Sequence, residues 1–179
     1  MISLFPLANF DSTWYCFFLQ LVINRNRNIV IRPHPEENIS FYINSFINHK
    51  NVNVVYEGSV VPWLLSSNSM IHPDCTTALE YLFIGKNPIS YLPKGYNVDL
   101  VTKLPLKSSL CFTNEDEVIE YIKNSDTLNN KVDINNYPLI EKYFSYSKPS
   151  TKLIVEEINN LSNKNKHDDF TPLQLNQKF

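Results

Sequence analysis

The chain has 179 residues, 43% of them hydrophobic and 19% charged, with a formal charge of −2. That length holds one domain with a sizeable core, and the balanced charge excludes the clustered basic face that a nucleic-acid groove requires. Three glycines, in neither a G-x-G-x-x-G nor a G-x-x-x-x-G-K arrangement, exclude a glycine-rich phosphate loop. Three isolated cysteines with no C-x-x-C pair support neither a zinc site nor a disulfide framework, and fit a reducing cytoplasm.

Ile2 to Leu7 reads as a strand, broken near its end by Pro6. Asp11 or Ser12 is placed to cap a helix running to about Asn24. Within it Trp14, Phe17, Phe18, Leu21 and Val22 recur at helical spacing and form a core-facing stripe. Trp14 to Ile23 is the longest apolar run, well short of the roughly 20 residues a membrane span needs. It also lacks the leader and cleavage site of a signal peptide. Ile29, Val30 and Ile31 make a second, fully apolar strand that ends in R-P-H-P. Glu36 and Glu37 open the next helix, in which Ile39, Tyr42, Ile43, Phe46 and Ile47 repeat the same spacing.

Val52 to Tyr56 is a third strand, and Ser59 is placed to cap a short helix carrying Pro62, Trp63, Leu64 and Leu65. Met70 and Ile71 begin a fourth strand. A helix follows over Thr76–Ile84, Gly85 stops it, and Pro88–Tyr91 is a fifth strand. Leu92 to Thr113 shows no periodicity and is expected to be irregular, with an edge strand near Leu110–Phe112. Helices are predicted over Asn114–Lys123, about Tyr137–Phe144 and Thr151–Leu161.

Strands and helices therefore alternate about every 20 residues, which predicts a three-layer, Rossmann-like α/β domain with a mostly parallel sheet. The expected division is a nucleotide-binding domain over 1–125, helices packed on the same domain over 126–163, and a frayed tail over 164–179.

Open parallel sheets bind ligands outside the carboxyl ends of their strands. Arg32, His34 and Glu36 occupy that end of the second strand; His72, Asp74, Thr76 and Thr77 occupy that end of the fourth. Pro33 and Pro35 restrict the backbone on both sides of His34, which suits a ring held against a phosphate or used as an acid or base. Arg32 offers a charged fork matched to phosphate. A helix opening on Thr76 and Thr77 points amides and hydroxyls at an anion, and Glu80, one turn on, is within reach of vicinal hydroxyls. Phosphate with vicinal hydroxyls describes a nucleotide.

A structural reading stands beside each of these. R-P-H-P also ends a strand, His72 also suits a core position bonded to backbone, Thr76 and Thr77 also cap, Glu80 also suits a solvated helix face, and Cys75 is a small buried side chain. His34, His72 and Asp74 match no standard metal spacing, so neither a metal nor another cofactor is expected.

The runs I-V-I-R-P-H-P-E-E-N, V-Y-E-G-S-V-V-P-W-L-L and I-H-P-D-C-T-T-A-L-E-Y-L-F-I-G-K-N-P-I-S-Y resemble bacterial surface carbohydrate biosynthesis proteins. These are glycosyltransferase-like proteins of the GT-B type that act in capsule and lipopolysaccharide assembly. The similarity is to their carboxyl-terminal domain and covers about Ile2 to Ile122. D-C-T-T-A-L-E is similar to the S-G-G-x-x-E turn of UDP-N-acetylglucosamine 2-epimerases, with threonines in place of the glycines. R-P-H-P is similar to the His-Pro motif of polysialyl-, Kdo- and glycerophosphate-type transferases.

The resemblance implies the second half of a GT-B fold that binds a nucleotide-sugar. His34 would act catalytically on the donor phosphate or the departing nucleotide. Thr76 and Thr77 would hold the phosphate, His72 would line the same pocket and Glu80 would bind the ribose. Arg32, matched to phosphate by its own chemistry, and His72 complete the expected phosphate-binding set with His34, Thr76 and Thr77. It implies a glycan or glycolipid acceptor and an amino-terminal domain outside this sequence, either because the chain is a fragment or because a separate chain supplies it. The expected place is the cytoplasm, with peripheral attachment at the inner face of the membrane as a further expectation. A sugar-nucleotide epimerase-like enzyme and a non-catalytic nucleotide-binding subunit are the alternatives.

Overall fold

The computed structural model describes residues 1–4, 12–23, 27–97, 99, 101–125, 132–144 and 149–164. Residues 1–140 form one compact unit and residues 141–179 another. The expected Pro6 break, the cap at Asp11 and the tail after residue 164 lie outside the described residues.

The first unit is mixed α/β. Its strands are β1 (Ile2–Leu4), β2 (Ile29–Ile31), β3 (Val52–Val54), β4 (Ser69–His72), β5 (Ile89–Tyr91) and β6 (Leu110–Phe112). They form one sheet in the order β3-β2-β1-β4-β5-β6, and every pairing is parallel. This is the doubly wound order whose direction reverses between β1 and β4, and it is compatible with a Rossmann-like α/β fold. The helices are α1 (Ser12–Ile23), α2 (Ile39–Phe46), α3 (Val61–Ser66), α4 (Thr77–Phe83), α5 (Lys103–Lys107), α6 (Glu115–Ser125), α7 (Pro138–Tyr143) and α8 (Ser150–Lys164).

Alternation along the strands divides the core in two. Ile2, Ile29, Ile31, Ile71, Ile89 and Tyr91 pack with the buried stripes of α1, α2 and α6. Met70, one residue from Ile71, packs with Leu64 of α3 and with Ala78 and Tyr81 of α4. Successive strand residues point to opposite faces, so helices cover both sides of the sheet. The division at β4 follows from the right-handed rule, because reversing the direction of sheet growth moves the connecting helices to the other face. Within the first layer Trp14 meets Tyr91 edge-on with centroids 5.1 Å apart, joining α1 to β5.

Local chemistry sets the element ends. Asn114 accepts the Asp116 amide at 2.8 Å and opens α6, as expected. Ser59 accepts the Val61 amide at 3.3 Å ahead of α3. Gly85, at φ +82°, ends α4 with two bonds: its amide donates to the Leu82 carbonyl and the Lys86 amide donates to the Tyr81 carbonyl. Lys86 then turns its ammonium onto the carbonyls of Leu64, Leu65 and Ser67 at the end of α3, at 3.0, 2.7 and 2.7 Å.

The irregular stretch expected over Leu92–Thr113 is corrected in one respect: it contains α5. Pro105 lies in the first turn of that helix, where a missing N–H breaks no intrahelical bond. In the second unit, α8 carries Ile154, Val155, Ile158 and Leu161 as exposed side chains.

Candidate functional site

The register pairs Leu4 with both Ile31 and Ile71. Arg32 and His72 therefore leave the sheet at one level, on either side of β1. Two strand spacings separate them, about 10 Å. Both expected clusters thus lie at the carboxyl edge of the sheet, flanking the point where the strand order reverses.

The corner after β2 is held from its flank. The Glu37 carboxylate accepts the His34 amide through Oε2 at 2.6 Å and the Tyr42 hydroxyl through Oε1 at 2.6 Å. The Glu37 amide donates back to the His34 carbonyl at 2.9 Å. Burial of Tyr42, reinforced by the hydrogen bond to Glu37 and by its charge, raises the phenol well above its ordinary pKa. It stays a donor under all ordinary conditions.

The His34 ring is exposed. Its Nδ1 accepts the Glu36 amide at 3.3 Å and lies 4.0 Å from a Glu36 carboxylate oxygen. With Nδ1 accepting, the neutral ring carries its proton on Nε2 and offers it to solvent. Arg32 forks over the loop after β3, donating from Nη1 to the Glu57 carbonyl at 3.3 Å and from Nη2 to the Gly58 carbonyl at 2.6 Å. Gly58 stands at φ +74°, a conformation a side chain would strain.

The corner after β4 is built inward. His72 is 0% exposed. Its Nδ1 accepts the Cys75 amide at 3.0 Å, so its proton sits on Nε2 and points at the Ser109 hydroxyl 2.9 Å away. Ser109 in turn donates to the Pro105 carbonyl at 2.7 Å. Enclosure without a counter-charge drives the imidazole pKa down to about 3. This corrects the expectation for His72. Both ring nitrogens are engaged inside the fold, so the residue ties β4 to the α4 turn and to the α5–β6 connection instead of facing a phosphate. Ser90 makes a parallel tie, donating to the Pro73 carbonyl at 2.7 Å.

The D-C-T-T turn is also partly engaged. Asp74 accepts the Thr102 amide at 3.0 Å, and the Cys75 thiol donates to the Thr77 hydroxyl at 3.2 Å. The Ala78 and Leu79 amides bond back to the Cys75 and Thr76 carbonyls, both at 3.0 Å. The Thr76 hydroxyl makes no cap bond, so capping does not account for this residue. Among the described residues the Thr76 and Thr77 amides have no partner, and Glu80 is exposed on the first turn of α4.

Sequence reasoning missed Ser109, Glu37 and Tyr42. Glu37 carried a signal, an acid three places after His34, but read as a favourable charge at a helix start. Ser109 carried none, because its role depends on a chain crossing 37 residues away. Among the described residues no group of three or more His, Cys, Asp or Glu side chains is arranged to hold a metal, and no helix is long and apolar enough to cross a membrane. Compared with protein-family models, curated proteins and solved structures, the chain matches none.

Proposed function

We propose that this chain is the nucleotide-sugar-binding domain of a GT-B-type, glycosyltransferase-like protein of bacterial surface polysaccharide assembly. The observation that carries this reading is positional: Arg32 and His34 on one side, and the Thr76–Thr77 turn on the other, flank β1 at the carboxyl edge of an all-parallel sheet. Nucleotides bind sheets of this kind at the switch point.

In this reading the His34 Nε2–H and the Arg32 donors left over from the Glu57 and Gly58 carbonyls face the phosphate, and the Thr76 and Thr77 amides take the other side. As the glycosidic bond breaks, negative charge grows on the leaving phosphate, and stabilising it is the electrostatic task of the site. Glu80 serves the ribose hydroxyls. Glu36, beside His34, lowers the local positive potential, so binding of a bare nucleotide to this domain is expected to be weak. His72 supports the turn from behind and takes no part in contact.

Titration calorimetry with UDP and with CMP tests the reading. One of the two is expected to bind, and His34→Ala to bind it more weakly. Equal affinity of the two proteins removes His34 from the site, and no heat with either nucleotide removes the nucleotide.

A further inference from the structure

We propose that Glu36 is a positioning residue for His34 and that the pair couples nucleotide binding to uptake of a proton: the ring gains a proton at Nδ1, and the Glu36 carboxylate accepts that N–H. The inference rests on the nucleotide reading of the site and adds to it a dependence on pH.

The His34 Nδ1 faces two groups of one residue. It accepts the Glu36 amide at 3.3 Å, a long bond, and lies 4.0 Å from the Glu36 Oε2. In the neutral ring Nδ1 is an acceptor, as is the carboxylate, so the two do not bond however near they stand. A protonated Nδ1 is a donor. A small side-chain rotation then closes the gap to a charge-assisted bond. The change leaves nothing buried without a partner, because both side chains are exposed, His34 at 49% and Glu36 at 85%. The backbone beneath them is fixed. Pro33 is buried, the Glu37 carboxylate accepts the His34 amide at 2.6 Å, and the Glu37 amide donates to the His34 carbonyl at 2.9 Å.

Among the described residues Glu36 is the carboxylate placed to receive the Nδ1–H. Glu37 is already shared between the His34 amide and the Tyr42 hydroxyl of α2. On the side of β3 the Arg32 guanidinium is bonded to the Glu57 and Gly58 carbonyls, and the Glu57 carboxylate is exposed on that loop. A phosphate supplies the drive. With phosphate at Nε2–H and Glu36 at Nδ1, an anion stands at each end of the ring, and both favour the imidazolium. The proton comes from solvent. The ring gains one positive charge, while carboxylate and phosphate keep theirs. Glu36 therefore opposes the phosphate while the ring is neutral and supports it once the ring is charged, so binding tightens as the pH falls toward neutrality.

Titration calorimetry of the full chain with UDP and with CMP tests the proposal, run at about pH 8 and about pH 7 in buffers of different ionisation enthalpy, which counts the protons taken up. The unmodified chain is expected to take up a proton on binding, and its affinity to rise by up to about tenfold over that pH unit. Glu36→Gln removes both the acceptor and a repelling charge. It is expected to bind at least as tightly at the higher pH, to take up about half as many protons or fewer, and to lose most of the pH dependence. His34→Ala is expected to take up only what the phosphate itself binds, a background common to all three proteins. A purely repulsive or structural role of Glu36 would instead change affinity by one factor at every pH. Both changes are on exposed side chains, and circular dichroism verifies that each variant is folded. Equal proton uptake by the unmodified chain and Glu36→Gln overturns the proposal and leaves the nucleotide reading standing. No heat from either nucleotide overturns both.

Discussion

His72 is the last residue of β4 and His34 stands three residues beyond the end of β2, each followed by a proline at the carboxyl edge of the same sheet, yet they live in opposite environments. The His34 ring is open to solvent, and its corner is braced by Glu37 and Tyr42 rather than by the imidazole. The His72 ring is itself the brace, with an amide on one nitrogen and a hydroxyl on the other. Burial decides between the two roles. An enclosed imidazole must satisfy both nitrogens internally and remain neutral, which leaves it nothing to offer a ligand. The exposed one has no such obligation, and its Nε2–H is free for chemistry.

The largest expected effect breaks the inward corner. His72→Ala leaves the Cys75 amide and the Ser109 hydroxyl without a partner and opens a void. It should cost about 3 kcal/mol in urea unfolding. Retention of full stability would show that the ring does not brace the turn.

Next comes acidity. The folded chain holds His72 neutral down to about pH 3, whereas the ordinary value is 6.5. Between those limits the unfolded state binds the extra proton, so this contribution to stability is complete above pH 6.5 and is lost as the pH falls toward 3. Lowering the pH from 6.5 to 5 should remove about 1.5 kcal/mol. His72→Asn should lack that component, and identical pH profiles for the two proteins would contradict the enclosed ring.

A smaller change sharpens the outward corner. Tyr42→Phe removes the hydroxyl that holds Glu37 and should cost about 1 kcal/mol. If Glu37 positions His34, the same variant should also weaken nucleotide binding. The smallest stability effect belongs to His34→Ala, within about 0.5 kcal/mol, because the exposed ring supports nothing behind it. A larger loss there would place His34 with His72 as a structural residue.

Much of the fold was legible because its signals are local. The stripe from Trp14 to Val22 follows from helical periodicity, the short apolar runs at Ile29–Ile31 and Ile89–Tyr91 from burial on both faces, and the stop at Gly85 from its tolerance of positive φ. α5 was hidden because Pro105 reads as a breaker unless the helix start is already known. The site was legible only as a set of residues at strand ends.

Taken alone, the order of residues determined that strands and helices would alternate and that polar side chains would gather where strands hand over to helices. Periodicity and turn chemistry act over a few residues and need no partner. Tertiary structure decided which of two similar histidines faces water, that Ser109 would stand behind one and Glu37 beside the other, and that β3 would end the sheet with half its amides turned outward. Those outcomes depend on contacts between segments far apart in the chain, and burial, which sets proton affinity and the demand for hydrogen-bond partners, exists only once those segments have packed.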